Sequence, residues 1–113
     1  VHCVSLYPAP IEKLNLNTID YLKTKYPYAP IGFSDHSLST LAPALAVAKG
    51  ATLIEKHFTL DRGAFGPDHR CSLLPAEFKE MVENVRKAES MLGIEDKILL
   101  KDEKKYWINF RAV

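Results

Sequence analysis

The chain opens on "VHCVSLY", a run of apolar and β-branched positions that stops at "PAP", and this predicts a buried strand over residues 1–7 ended by proline. From Asn15, "NLNTIDYLKTKY" sets Leu16, Ile19, Leu22 and Tyr26 at helical spacing, and Pro27 closes the pattern. "APIGFSDHS" is a short apolar run with a polar tip, a second strand. "STLAPALAVAKG" predicts an alanine-rich helix closed by Gly50, with Ser37 or Ser39 as its cap and Pro43 in its first turn. "ATLIEKHF" is the third strand. "PAEFKEMVENVRKAESMLG" then carries Phe78, Met81, Val82, Val85, Ala88 and Leu92 on one stripe between Pro75 and Gly93, the most regular helix of the chain.

Strand and helix therefore alternate three times, and the strands have the near-continuous apolar character of a parallel sheet. That is an α/β pattern of repeated βα units with right-handed crossovers, the way both doubly wound sheets and (β/α)₈ barrels are built. Residues 94–113, "IEDKILLKDEKKYWINFRAV", break the rhythm with a charged run and a short aromatic segment, and read as a linker or interdomain segment.

Composition changes this picture little. With 113 residues, 47% hydrophobic and 26% charged, the chain is the size of one unit. Fifteen basic against fourteen acidic residues leave a net charge of +1, which gives no footprint for nucleic acid or an anionic membrane. No apolar run approaches the ~20 residues of a membrane span, and the first residues lack a signal-peptide pattern, so a cytoplasmic location is expected. Cys3 and Cys71 are too far apart for a paired-cysteine zinc motif and read as reduced, buried thiols. Val1 in place of methionine, directly on a strand, reads as a chain cut from something longer.

The chemistry gathers at the C-terminal ends of the predicted strands: Ser5 and Tyr7 after the first, "SDH" at 34–36 after the second, "EKH" at 55–57 after the third. In βα architectures these ends share one face, where active sites are built. His36 and His57 lie 21 residues apart, one βα unit, which places them on neighbouring strands at equal depth. One histidine at a strand end serves packing or a local hydrogen bond as readily as ligation. Two on adjacent strands favour a shared divalent ion, with Asp35, Glu55 or Asp68 as ligands or orienting groups. Alternation turns Lys56 away from Glu55 and His57, toward a structural ion pair, while Glu55 reads equally as a site group or as a buried acid paired with Lys56 or a backbone amide. His69 reads as a solvated loop histidine. Asp68 follows Gly66 and Pro67, which either fix its direction or form an Asx-turn. Gly63 and Gly66 around Phe65 suit a lid or simple turns, and Arg62 and Arg70 offer forks for phosphate or carboxylate.

The segments "HCVSLYPAP", "NLNTI", "IGFSDHS", "GATLIEKHFTLDR" and "GPDHRCSLLPAEFKEMV" closely resemble the sialic acid synthase family, which includes the N-acetylneuraminate, legionaminate and pseudaminate synthases. The resemblance covers residues 2 to about 93. It implies condensation of phosphoenolpyruvate with an N-acetylated amino sugar, typically N-acetylmannosamine, to a nine-carbon 2-keto acid and phosphate. It implies a (β/α)₈ barrel followed by an antifreeze-like domain, in a domain-swapped homodimer. By resemblance, the metal ligands are His36 and His57, holding Mn²⁺ with Mg²⁺ or Co²⁺ as alternatives. Tyr7 and Asp68 match sugar-contacting residues, Ser34 one near the phosphate, and Ser5 a position where some members carry asparagine touching both substrates. A hydroxyl is shorter and lacks the amide's paired donor and acceptor, so Ser5 does not reproduce that paired contact. "GPDHRCSL", with His69, resembles the N-acetylneuraminate and legionaminate branches more than the pseudaminate one.

A complete (β/α)₈ barrel takes ~250 residues. Residues 1–93 accordingly read as the C-terminal three βα units, strands six to eight, and 94–113 as a linker toward an absent antifreeze-like domain. Two other readings stand beside the synthase: a different phosphoenolpyruvate-condensing barrel, such as the deoxy-sugar acid phosphate synthases, and a non-catalytic metal-binding piece.

Overall fold

The computed structural model describes the backbone of residues 1–111 and the side chains through Trp107. Three strands, β1 (His2–Cys3), β2 (Gly32–Asp35) and β3 (Leu53–Lys56), form a parallel sheet in the order β1-β2-β3. Helices α1 (Thr18–Lys25) and α2 (Ala42–Ala48) connect them, and α3 (Pro75–Leu92) follows β3. The α/β parallel architecture is the one the alternation predicts.

The strands alternate their faces as the pleat requires. Phe33 and Asp35 of β2, with their partners Ile54 and Lys56 of β3, face the helices. Ser34 and its partner Glu55 face the other way. On the helical side, Phe33 and Ile19 are fully buried and join Leu14, Ile31, Ala42 and Ala46 in one core. The stripe on α1 is thus real but shorter than predicted: Ile19 is buried, Leu16 and Leu22 are partly so, and Tyr26 is exposed. His2 belongs to this side as well. Its Nε2–H donates to the carbonyl of Leu14 at 2.6 Å, and its ring stacks on Phe33.

Among the described residues the opposite face of the sheet is largely uncovered, with Ser34 its one buried strand side chain. Val1, Cys3, Leu53 and Glu55 are exposed there. This corrects the expectation for Cys3, which is not a buried thiol; Cys71 is. The first strand is also shorter than its apolar run. With β2 as its single neighbour, the ladder holds only His2 and Cys3, and residues 4–7 leave it.

Ser39, of the two candidate caps, receives the amides of Leu41 and Ala42, while Ser37 Oγ accepts from Ser39. Helix α3 packs against α2, with Met81 the buried residue of its stripe, and Asn84 Nδ2 donates to the carbonyl of Thr40. Gly93, at φ 62°, follows the helix, as the sequence predicts. The radius of gyration is 18.5 Å, against about 13 Å for a compact chain of this length. Within the region predicted as a linker, a helix, α4 (Lys104–Arg111), forms behind a turn in which Glu103 accepts the Leu100 amide. The last two residues of that region lie outside the described residues. Among the described residues, no helix is long and apolar enough to cross a membrane.

Candidate active site

Because Ser34 pairs with Glu55 and Asp35 with Lys56, the residues that follow, His36 and His57, emerge side by side at the C-terminal edge of the sheet. Their rings meet edge to face with centroids 5.1 Å apart. Tyr7 stacks on His36 at 4.2 Å and reaches His57 at 6.1 Å. The backbone brings Tyr7 there: the Ala9 amide donates to the carbonyl of His36 at 3.0 Å, tying the loop after β1 to the loop after β2.

His36 Nδ1 lies 3.0 Å from the carbonyl of Val4. A carbonyl only accepts, so Nδ1 carries the proton, and in the neutral ring Nε2 keeps its lone pair, with the Cys3 sulfur 3.9 Å away. A metal-ligating imidazole has that arrangement. His57 Nδ1 lies 3.8 Å from the buried sulfur of Cys71. Donor atoms of His57, Asp68 and Cys71 fall within 4.8 Å of one another, a group able to hold a metal ion.

Asp68 is brought to His57 by the loop after β3. That loop is closed at its base by a parallel bridge between Phe58 and Leu73, with the Thr59 amide donating to the Leu73 carbonyl and the Leu73 amide to the His57 carbonyl. Three donors converge on the Asp68 carbonyl: the Cys71 amide, the Cys71 thiol and the Ser72 hydroxyl. These bonds fix the backbone of Asp68 and leave its carboxylate exposed beside His57. Gly66, at φ 146°, permits the approach, because a Cβ there would sit 2.9 Å from the ring of His69. The loop and strand end enclose a cleft of about 320 Å³ lined by His57, Phe58, Pro67, Asp68, His69 and Ser72.

Several polar residues settle differently from their sequence-based expectations. Glu55 is exposed and accepts the Ser34 hydroxyl at 2.7 Å, with Lys56 on the other face. Asp35 also faces the helices, paired with Lys56 at 2.7 Å, which removes it from the candidate ligands. His69 is not solvated: its Nδ1 shares a 2.7 Å hydrogen bond with the buried Thr59 hydroxyl. Arg62 is taken up by Glu77 and the Ser72 carbonyl, a brace between the loop and α3. Ser5 is exposed beyond β1. The sequence reading also missed that a cysteine sulfur flanks each histidine, Cys3 at 3.8 Å from His36 Nδ1 and Cys71 beside His57. Parity along β1 offered a signal for the first, since Cys3, Ser34 and His36 share a face.

Burial pushes the Cys71 thiol up, and the Asp68 carboxylate adds to the effect. Burial likewise pushes the Lys56 ammonium down, while its hydrogen bond to Asp35 opposes the fall.

Comparison with known proteins adds three findings. The NeuB family model matches residues 1–97. The N,N'-diacetyllegionaminic acid synthase of Legionella pneumophila is 45% identical over 86% of the chain, and the pseudaminic acid synthase of Campylobacter jejuni is 52% identical over 80%. The chain spans 27% and 26% of those two proteins, about a quarter of their length. The solved N-acetylneuraminic acid (sialic acid) synthetase of Leptospira borgpetersenii superposes with a TM-score of 0.79 at 38% identity, over 98% of this chain and 40% of that one. Overall identity does not single out the legionaminate branch from the pseudaminate one.

Proposed function

The chain belongs to the NeuB family of nonulosonic acid synthases, and from that premise we propose that it supplies strands six to eight of a (β/α)₈ barrel in an enzyme condensing phosphoenolpyruvate with an N-acetylated amino sugar. The product is a nine-carbon 2-keto acid, released with inorganic phosphate. The observation that carries this reading is the convergence of Tyr7, His36, His57 and Asp68 beyond the C-terminal ends of parallel strands, where such barrels do their chemistry. The bare sheet face with Leu53 exposed, and the two open edges at β1 and β3, support a barrel completed by further strands. Residues 1–93 form the barrel portion, and 94–113 lead toward an antifreeze-like domain of a domain-swapped homodimer in the cytoplasm.

His36 and His57, with Asp68 from the loop, would hold a divalent ion, Mn²⁺ before Mg²⁺ or Co²⁺. The nitrogen and oxygen donors suit those ions, and the unprotonated Nε2 of His36 fits the role. Cys71, a softer donor whose thiol is kept protonated by burial, stands behind His57 as a packing partner. When bound, the ion supplies Lewis-acid polarisation of the sugar aldehyde. Asp68, fixed by its carbonyl bonds, offers an acceptor for sugar hydroxyls, and Tyr7 holds the ring of His36 while presenting its own hydroxyl to the sugar. Ser34 directs its proton at Glu55, so it must release Glu55 before donating to a phosphate oxygen. Ser5 offers the substrates a single hydroxyl.

The test is a chimaera in which residues 1–97 replace the matching segment of the Legionella pneumophila synthase. Phosphate release from phosphoenolpyruvate, with the keto acid identified by mass spectrometry for several N-acetylated sugars, is expected. A folded chimaera that releases no phosphate with any of them would overturn the proposal. The His57–Asp68–Cys71 group favours one other reading, metal binding without catalysis, which predicts bound Mn²⁺ and no turnover in that assay.

A further inference from the structure

Directly before the two histidines of the site, on the helical side of the sheet, lies a buried ion pair. Asp35 immediately precedes His36, and Lys56 immediately precedes His57. The two are Cα partners on the last rung of the β2–β3 ladder, and their side chains are 0% and 1% exposed on the helical side of the sheet. The network is closed. Lys56 Nζ donates to Asp35 Oδ2 at 2.7 Å, to the Ser39 carbonyl at 3.3 Å and to the Ser37 carbonyl, while Asp35 Oδ1 accepts the Ser37 amide at 2.8 Å. Lys56 thus spends its three protons on the segment 35–39, which contains His36, and that segment is gripped at 35, 37 and 39.

We propose that the Asp35–Lys56 pair is a positioning device for the metal-holding histidines: it locks the chain around His36 to the residue before His57 and so sets the separation of the two rings. The inference rests on the functional reading above. A buried ion pair is a poor choice for stability alone, because well-packed apolar residues of similar volume commonly replace one at little or no loss. What an apolar pair cannot do is hold two carbonyls and an amide of the following loop in fixed directions. The hydrophobic alternative would leave 35–39 to choose its own path, and His36 with it. Lys56 and Asp35 are buried on the helical side of the sheet, opposite the face of Ser34 and Glu55, so they are positioning residues, acting through the histidines.

The experiment compares the chimaera carrying the wild-type segment with two variants. In one, Asp35→Leu and Lys56→Met are combined, replacing the pair by apolar groups. In the other, Lys56→Arg keeps the charge pairing but replaces three rotatable donors on one nitrogen by a larger planar fork with different donor directions. Mn²⁺ affinity is read from the paramagnetic resonance signal of the free ion, and Tm is measured on the same samples. The expected result is a Tm within a few degrees of wild type for at least one variant, with Mn²⁺ affinity lowered about tenfold or more, the scale seen when groups that orient ligands are removed. Wild-type affinity in a folded variant would overturn the positioning role. Loss of Tm in both, with affinity intact wherever the protein remains folded, would overturn it in favour of a stability role. A wild-type chimaera that binds no Mn²⁺ would overturn the functional reading itself, and this inference with it.

Discussion

The rings of His36 and His57 stand edge to face with centroids 5.1 Å apart, held by adjacent parallel strands in matched register. Two imidazoles at that separation, with an exposed carboxylate at Asp68 beside one of them, set up the first prediction. Mn²⁺ titrated calorimetrically into the 113-residue chain should bind, and the His36→Ala, His57→Ala double variant should lose that binding. Equal heats from both would show that the pair is not a preformed site in this chain.

The second prediction concerns the proton on His36. Because the Val4 carbonyl accepts from Nδ1, neutral His36 should be the Nδ1–H tautomer. Long-range proton–nitrogen correlation spectra distinguish the tautomers directly. Finding the proton on Nε2 would remove the lone pair that the metal reading requires.

Glu77 gives a prediction in pH. Its carboxylate accepts the Leu74 amide at the start of α3 and pairs with Arg62, and these partners, the amide first, hold it below the ordinary glutamate value. The unfolded chain therefore binds more protons in the window between the depressed folded value and about pH 4.3. The contribution is complete above that window and disappears as pH falls through the folded value. Glu77→Ala should lower stability by about 1 kcal/mol near neutrality, the usual scale for a lost helix cap. The difference from wild type should shrink in acid. Urea titrations at pH 7 and pH 3.5 check both statements, and an unchanging difference would discard the linkage.

A fourth prediction follows from the bare sheet face and the large radius of gyration. The 113-residue chain alone should be marginally stable and should release no phosphate from phosphoenolpyruvate with N-acetylmannosamine. Steady-state turnover by the purified chain would show that these three strands suffice for catalysis.

The core is the place to test how narrow that stability is. Phe33 is fully buried between the sheet and the helices. Phe33→Ala should cost about 3–5 kcal/mol, enough to unfold a marginal domain, as judged by the loss of a cooperative thermal transition.

The sequence by itself determined the order of elements and the depth of the histidines. Apolar periodicity is a local property, and a 21-residue offset repeated along a parallel ladder carries straight through from Ser34 and Glu55 to His36 and His57. Local too was the end of α3 at Gly93. The tertiary structure decided which polar groups meet. Glu55 finds Ser34 rather than Lys56, Lys56 finds Asp35, His69 finds Thr59, and Arg62 braces Glu77, because each partner comes from a different segment brought in by the sheet or the loop closure. It also decided that Cys3 is exposed, since burial of a strand depends on what covers its second face, and among the described residues nothing covers Cys3.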